Sequence, residues 1–466
     1  MSAPTITLPA AHARLATRFA RPVVAAPDPY RALKRGIWLY VLLLLFEGAL
    51  RRWVLPGLAT PLLVVRDPVA IWLIVKTWQR GLLPNNGYLT ATIIITLLSI
   101  ISALLFGHGN LTVAIYGARI LLLHFPLIFV IGRVFDRADV LKMGRAFVWM
   151  AAPMALLIAV QFYSPQSAWI NRGVGGDVAG AGFDGANGFF RPPATFSFTI
   201  GTHMFFGLAA CFIFYFWLDQ RNINRLVLLA ATVGLVAAIP FSISRSLLLF
   251  VAVALLFTAL GLLRNPQNIW RLLLLAIGGV AVLLALSNVP ILQAPIEAFV
   301  SRFTAASDVE GGLQGSLGNR YLGGMLQALL NSSQQPFFGY GIGMGTNAGS
   351  VLLSGSDERS FMIAEGEWGR IIGEMGPWLG LGLIYIRMAL CVKFSIACYK
   401  RLRQDDLLPW ILLGNGLLMI PQSQWAQPTA LGFSTLVAGL IIASLRLPSP
   451  AATQSLATAD RAHAAA

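Results

Sequence analysis

The chain has 466 residues, 57% of them apolar and only 11% Asp, Glu, Lys or Arg. A soluble domain carries roughly 25% charged residues, so a water-facing surface is nearly excluded, and the apolar majority excludes disorder. The 34 basic and 19 acidic residues leave a net charge of +15, which in so apolar a chain reads as Lys and Arg gathered on the inner side of a bilayer, not as nucleic-acid binding.

Residues 1–35 hold Arg14, Arg18, Arg21, Arg31, Lys34 and Arg35 with no apolar stretch before a cleavage site, the pattern of a retained basic cytoplasmic tail. Residues 36–286 read as nine spans. Eight are apolar runs at 36–50, 89–106, 111–131, 146–163, 196–218, 226–241, 247–263 and 272–286. The ninth lies between 53 and 78, where Arg66-Asp67-Pro68 carries a helix-start signal and predicts a broken or partly re-entrant crossing. An outer loop at 164–195 is rich in Gly and Asp. A second outer loop, 287–377, is long enough for helices of its own, one of them at 321–331 with Leu322, Leu326, Leu329 and Leu330 as its apolar face. Three further spans fill 378–445, and 446–466 is an Ala-rich cytoplasmic tail. The expectation is an all-α polytopic membrane protein of about twelve spans.

Threading with the amino terminus inside places 22 of the 34 basic residues, including all five lysines, on the inner side. Cys211, Cys391 and Cys398 lie within apolar runs and have neither disulfide nor metal spacing.

The basic residues left over are all arginines. Arg51, Arg52, Arg172, Arg191, Arg245, Arg302, Arg320, Arg359 and Arg370 face outward, and a guanidinium set of this kind fits an anionic ligand such as phosphate. The competing reading pairs each with an acid such as Asp184, Asp308, Glu358 or Glu374. Arg66, Arg119, Arg387 and Glu47 fall within or beside spans, where charge marks function or an interhelix pair, here Glu47 with Arg119 or Arg387. Glu367, Arg370 and Glu374 share one helical face. They offer either a carboxylate base or an ordinary ion-paired helix. The run Gly339-Tyr-Gly-Ile-Gly-Met-Gly345 lacks the Lys-Ser/Thr ending of a phosphate loop and is assigned to tight turns. His203 is the one isolated histidine kept as a candidate. No metal site is expected.

Four stretches resemble the O-antigen ligase and polysaccharide polymerase family of bacterial inner-membrane glycosyltransferases. They are Phe190-Arg-Pro-Pro-Ala-Thr-Phe-Ser197, Ser242-Ile-Ser-Arg-Ser246, Arg320 with the later Pro336-Phe-Phe-Gly-Tyr-Gly-Ile-Gly343, and Glu374-Met-Gly376. The architectural likeness covers about 36–445. It implies a GT-C-like fold whose large loop, 287–377, is periplasmic, in the inner membrane with both termini cytoplasmic. It also implies cofactor-free, metal-independent transfer of glycan from undecaprenyl pyrophosphate to a sugar hydroxyl. The polymerisation of repeat units for exopolysaccharide or O-antigen comes first. A ligase moving glycan to lipid A core or protein is the alternative, and a lipid-linked-oligosaccharide flippase is the third reading. Implied partners are the lipid-linked glycan, its acceptor, the bilayer, a chain-length regulator and a flippase. On this likeness Arg191, Arg245, Arg370 and Arg119 bind the pyrophosphate or glycan, and Arg320, Glu365 and Glu367 are catalytic. One departure stands out: many ligases of the family have a His-Asn pair where this chain has Glu365-Gly366, so the histidine-base mechanism is not carried over and Glu365 would have to fill that role.

Overall fold

The computed structural model describes residues 28–83, 85–220, 223–264, 289–310, 323–354, 363–364 and 366–446, with 270, 277–279 and 281. The chain is mostly helical. Helix α1 (Arg31–Ala49) runs through a π turn (Leu50–Val54) and two 3-10 turns (Pro56–Leu58, Pro61–Val64) into α2 (Asp67–Gln79). Pro68 occupies the first turn of α2, where its missing N–H costs nothing, so the crossing at 53–78 is broken before Asp67. Then follow α3 (Gly87–Leu105), α4 (Leu111–Arg119), a π turn (Ile120–His124), α5 (Phe125–Val134) and α6 (Arg137–Tyr163).

The outer loop at 164–195 is not wholly irregular. It forms an antiparallel hairpin of β1 (Phe183–Ala186) and β2 (Phe189–Arg191), the one sheet among the described residues. Asn187 and Gly188 both take positive φ, 53° and 75°, the backbone that a two-residue hairpin turn demands. Beyond it lie α7 (Ile200–Leu218), α8 (Arg225–Phe241), α9 (Arg245–Leu262), α10 (Pro290–Glu310), α11 (Gly324–Leu330), α12 (Asn347–Ser354), α13 (Glu367–Leu402), α14 (Leu407–Met419) and α15 (Pro428–Ser444).

Six of these segments are long and apolar enough to cross a membrane: α3, α4–α5, α6, α7, α9 and α13. Helices α8, α14 and α15 are shorter apolar companions, and the run at 272–286 lies mostly outside the described residues. Helix α3 shows the solvent most directly. Its outer face exposes Ile93, Ile94, Leu97, Leu98, Ile101 and Leu105, while Thr92, Thr96, Ser99 and Ser102 are buried. That is the reverse of a water-soluble helix and fits lipid outside with small polar residues at the helix interface. Its 19 residues span about 28 Å, close to the ~30 Å of a bilayer core.

The bundle has two chemically different ends. At one, Lys34 bridges Asp28 and Asp139 (2.8 and 2.6 Å), Arg137 pairs with Asp406, and Arg446 donates to the Arg133 and Phe135 carbonyls. At the other, Arg52 donates to four carbonyls, those of Arg172, Ala194, Phe196 and Ile170, at 2.6–3.1 Å. It thereby pins the 164–197 segment to the end of α1. Arg302 of α10 holds the hairpin through the Gly185 carbonyl (2.9 Å).

Two details are added to the large loop. Helix α13 is kinked at Gly376 (φ +76°) just before Pro377, so its second piece starts at the expected boundary of 378, and a further helical piece from Glu367 precedes it, where Glu367, Arg370 and Glu374 neutralise one another and can be buried. Helix α11 turns a different face inward: Met325, Ala328 and Leu329 pack on the core, while Leu326 and Leu330 are exposed.

Candidate functional site: an arginine-lined cavity

The turn before α9 is strained. Ile243 is fully buried with φ +46°, an outlier for a β-branched residue, and such strain persists only where its surroundings enforce it. The result is that Ser242, Ser244, Arg245 and Ser246 all line one cavity of about 710 Å³. Ser244 caps α9 by accepting from the Leu247 N–H (3.3 Å). Arg245 is therefore the first helical residue, a position where the helix dipole favours anions over cations.

The opposite wall is built from the Arg191–Thr202 segment. Gln161 accepts from the Ala194 N–H (2.8 Å) and donates to the Ala194 carbonyl (3.1 Å), holding Ala194 at φ 55°. Thr195 donates to the Leu45 carbonyl (2.6 Å). These bonds make Thr195 and Phe196 framework and leave Arg191, Thr199, Thr202 and His203 on the cavity wall. Arg191 lies 4.5 Å over the Phe183 ring and donates to the Asp184 carbonyl, so the hairpin steers its guanidinium.

Arg302, Gly324 and Met325 come from the large loop, and Gly366, Glu367 and Trp368 from the start of α13. The α14–α15 connection adds Gln422, Gln424 and Gln427, and Trp368 anchors that connection by donating to the Pro421 carbonyl (2.8 Å). The volume lies within the ~300–1,000 Å³ of ordinary ligand pockets. Among the described residues that line it, Arg191, Arg245 and Arg302 stand with one acid, Glu367, which is engaged by Arg370 and Arg387.

Glu367 is the hub of a buried network. Its carboxylate takes two bonds from Arg370 (2.9 and 3.0 Å) and one from Arg387 (2.7 Å), and Arg370 also donates to Glu374 (2.6 Å). Arg387 lies 3.9 Å from the Trp425 ring centre. Arg370 thus faces carboxylates and does not line the large cavity; its face-sharing acids are an ion-paired scaffold. Glu374 also accepts from the Gly345 N–H (2.8 Å), and its carbonyl accepts from the Gly341 N–H (2.9 Å). The glycine run therefore serves to lay backbone on α13.

Gly376 is the tightest point of that seam. It has φ +76°, and a Cβ there would overlap the Phe337 carbonyl oxygen. Gly376→Ala is expected to cost at least about 1–3 kcal/mol, read as a lowered Tm of the detergent-solubilised chain; an unchanged Tm would contradict this packing.

A second buried network replaces the interhelix pairing expected for Glu47. Glu47 pairs with Arg51 and Arg66 (both 3.2 Å), and Arg119 pairs with Asp67 (2.7 Å) over the Tyr116 ring. His124 bridges Tyr40 and Asp67 (2.9 and 3.1 Å). Local partners on the broken 50–67 segment win because they are already beside Glu47. Arg119 is thus committed elsewhere and does not line the cavity. Arg320 and Glu365 lie outside the described residues, as do Arg359 and Glu358. Among the described residues no group of three or more His, Cys, Asp or Glu is placed to hold a metal. Gln422, Gln424, Gln427 and Trp368 went unmarked in sequence as cavity residues; the repeated amides between two apolar runs were the available signal.

What fold and site define is a class: a helical membrane protein with an arginine- and amide-lined cavity at one end of its bundle. The chain matches no known family model and no curated protein.

Proposed function

We propose that the chain is a glycosyltransferase that polymerises lipid-linked oligosaccharide repeat units for an exopolysaccharide or O-antigen. It crosses the bacterial inner membrane about twelve times, with both termini cytoplasmic and the cavity end periplasmic. The observation that carries this reading is convergence. Arg191, the Ser242–Ser246 turn, Gly324 of the large loop, and the start of α13 meet at one cavity, although they are far apart in sequence.

The roles follow from the chemistry of each wall. Arg191, Arg245 and Arg302 stabilise the negative charge of the departing diphosphate, helped by the N–H groups at the start of α9. Trp368 and the three glutamines suit sugar rings and hydroxyls, and Met204, Leu248 and Phe250 suit a prenyl chain. Arg370, Glu374 and Arg387 keep Glu367 and Trp368 in place. No metal or cofactor is assigned a role.

The test is a deletion strain whose lipid-linked glycans are sized. Single repeat units left on the lipid are the expected result. Full-length polymer stranded on the lipid would replace polymerase by ligase. Loss of every periplasmic lipid-linked unit would indicate a flippase, and an unchanged glycan profile would sink the assignment.

A further inference from the structure

A sugar hydroxyl that attacks an anomeric carbon must lose its proton, and most groups on the described cavity wall are unable to take it. Serine, threonine and glutamine side chains are not bases near neutral pH, and guanidinium groups are permanently charged. Glu367 already accepts three hydrogen bonds from Arg370 and Arg387. Protonating it would leave two buried arginines short of an acceptor.

His203 remains. It stands in the first turn of α7 and lines the cavity with Arg191, Arg245 and Ser244. Its ring rests against Phe250, with centroids 5.4 Å apart, which fixes the imidazole plane. The other two histidines of the described residues are consumed by structure. His108 bonds the Ile342 carbonyl and the Asn110 N–H (3.1 and 3.0 Å), and His124 joins Tyr40 to Asp67. Among the described residues, neither ring nitrogen of His203 has a hydrogen-bond partner. A half-buried imidazole left open on both nitrogens is unusual in framework and suits a group that must exchange a proton with a ligand.

We infer that His203 is the proton acceptor of the transfer, an inference that rests on the glycan-transfer reading. The acceptor oxygen bonds to the anomeric carbon as the bond from that carbon to the diphosphate oxygen breaks. The electron pair of the broken bond leaves with the diphosphate, whose charge Arg191 and Arg245 oppose. The hydroxyl proton moves to an open nitrogen of His203, and water then removes it. The charged groups sharing the wall are Arg191 ahead of α7, Arg245 on α9, Arg302 on α10 and Glu367 on α13.

The experiment uses the full-length chain in proteoliposomes, with lipid-linked repeat unit extracted from the deletion strain as donor and acceptor. His203→Gln and His203→Ala are expected to lower kcat by about 10²–10⁴-fold while KM changes by less than about three-fold. A base works only unprotonated, so wild-type activity falls at low pH; the variants lose that limb, and added imidazole restores part of the His203→Ala rate. A His203→Gln chain within about three-fold of wild type overturns the inference. So does a loss with neither imidazole rescue nor an altered pH profile, which marks a structural role. Arg245→Ala separates the two levels. If Arg245→Ala is inactive and His203→Gln active, the transfer reading stands and His203 falls; if wild type moves no glycan, both fall.

Discussion

Replacing Glu367 by alanine is expected to destabilise the chain by about 3–5 kcal/mol, the cost of stripping a buried charge of its partner. The residue is 4% exposed and holds Arg370 and Arg387 through three hydrogen bonds. Without it, Arg370 keeps only Glu374. Arg387 keeps the carbonyls of Ile420 and Ser423 (2.8 and 3.2 Å) and the Trp425 face, so a full charge is left on neutral dipoles in an apolar interior. Pairing Glu367→Gln with Arg387→Met removes one charge of each sign, and its cost is expected to be less than the sum of the two single changes. Unfolding of the solubilised chain in denaturant measures all three. A Glu367→Ala chain within about 1 kcal/mol of wild type would show that the network is not closed as described.

The same network explains why the sequence was easier to read for fold than for site. Apolar runs located the helices because bilayer and bundle interior both demand apolar side chains. The Asp67-Pro68 pair located the start of α2 because a proline fits best in the first turn, where its missing N–H costs nothing. Spacing also placed Glu367, Arg370 and Glu374 on one face. It could not say whether the third partner was a ligand or Arg387, which lies past the Gly376 kink of α13 and turns back to Glu367. Arg51 and Arg52 misled for a related reason. Their charge suggested an anion, yet Arg52 is satisfied by four backbone carbonyls and Arg51 pairs with Glu47. Guanidinium donors do not distinguish a phosphate from a ring of peptide oxygens until the chain is folded. The cavity arginines differ in sequence context: Arg191 precedes a double proline and Arg245 stands between serines at a helix start.

That placement yields the prediction with the largest effect on activity. Arg245→Ala is expected to reduce glycan transfer by about 10²–10³-fold, the usual loss when one stabiliser of developing negative charge is removed. A cation at the first position of α9 opposes the helix dipole, and thermal unfolding of the variant reads the structural share of any loss. Arg245→Lys keeps the charge but loses the planar fork, and should retain intermediate activity. Arg52→Ala makes the useful contrast, since four carbonyls lose their donor and the hairpin segment loses its tie to α1. There, stability and activity should fall together. Measured side by side in proteoliposomes and by thermal unfolding, an inactive, stable Arg245→Ala places the anion at the start of α9. An active one moves the anion site off this cavity wall.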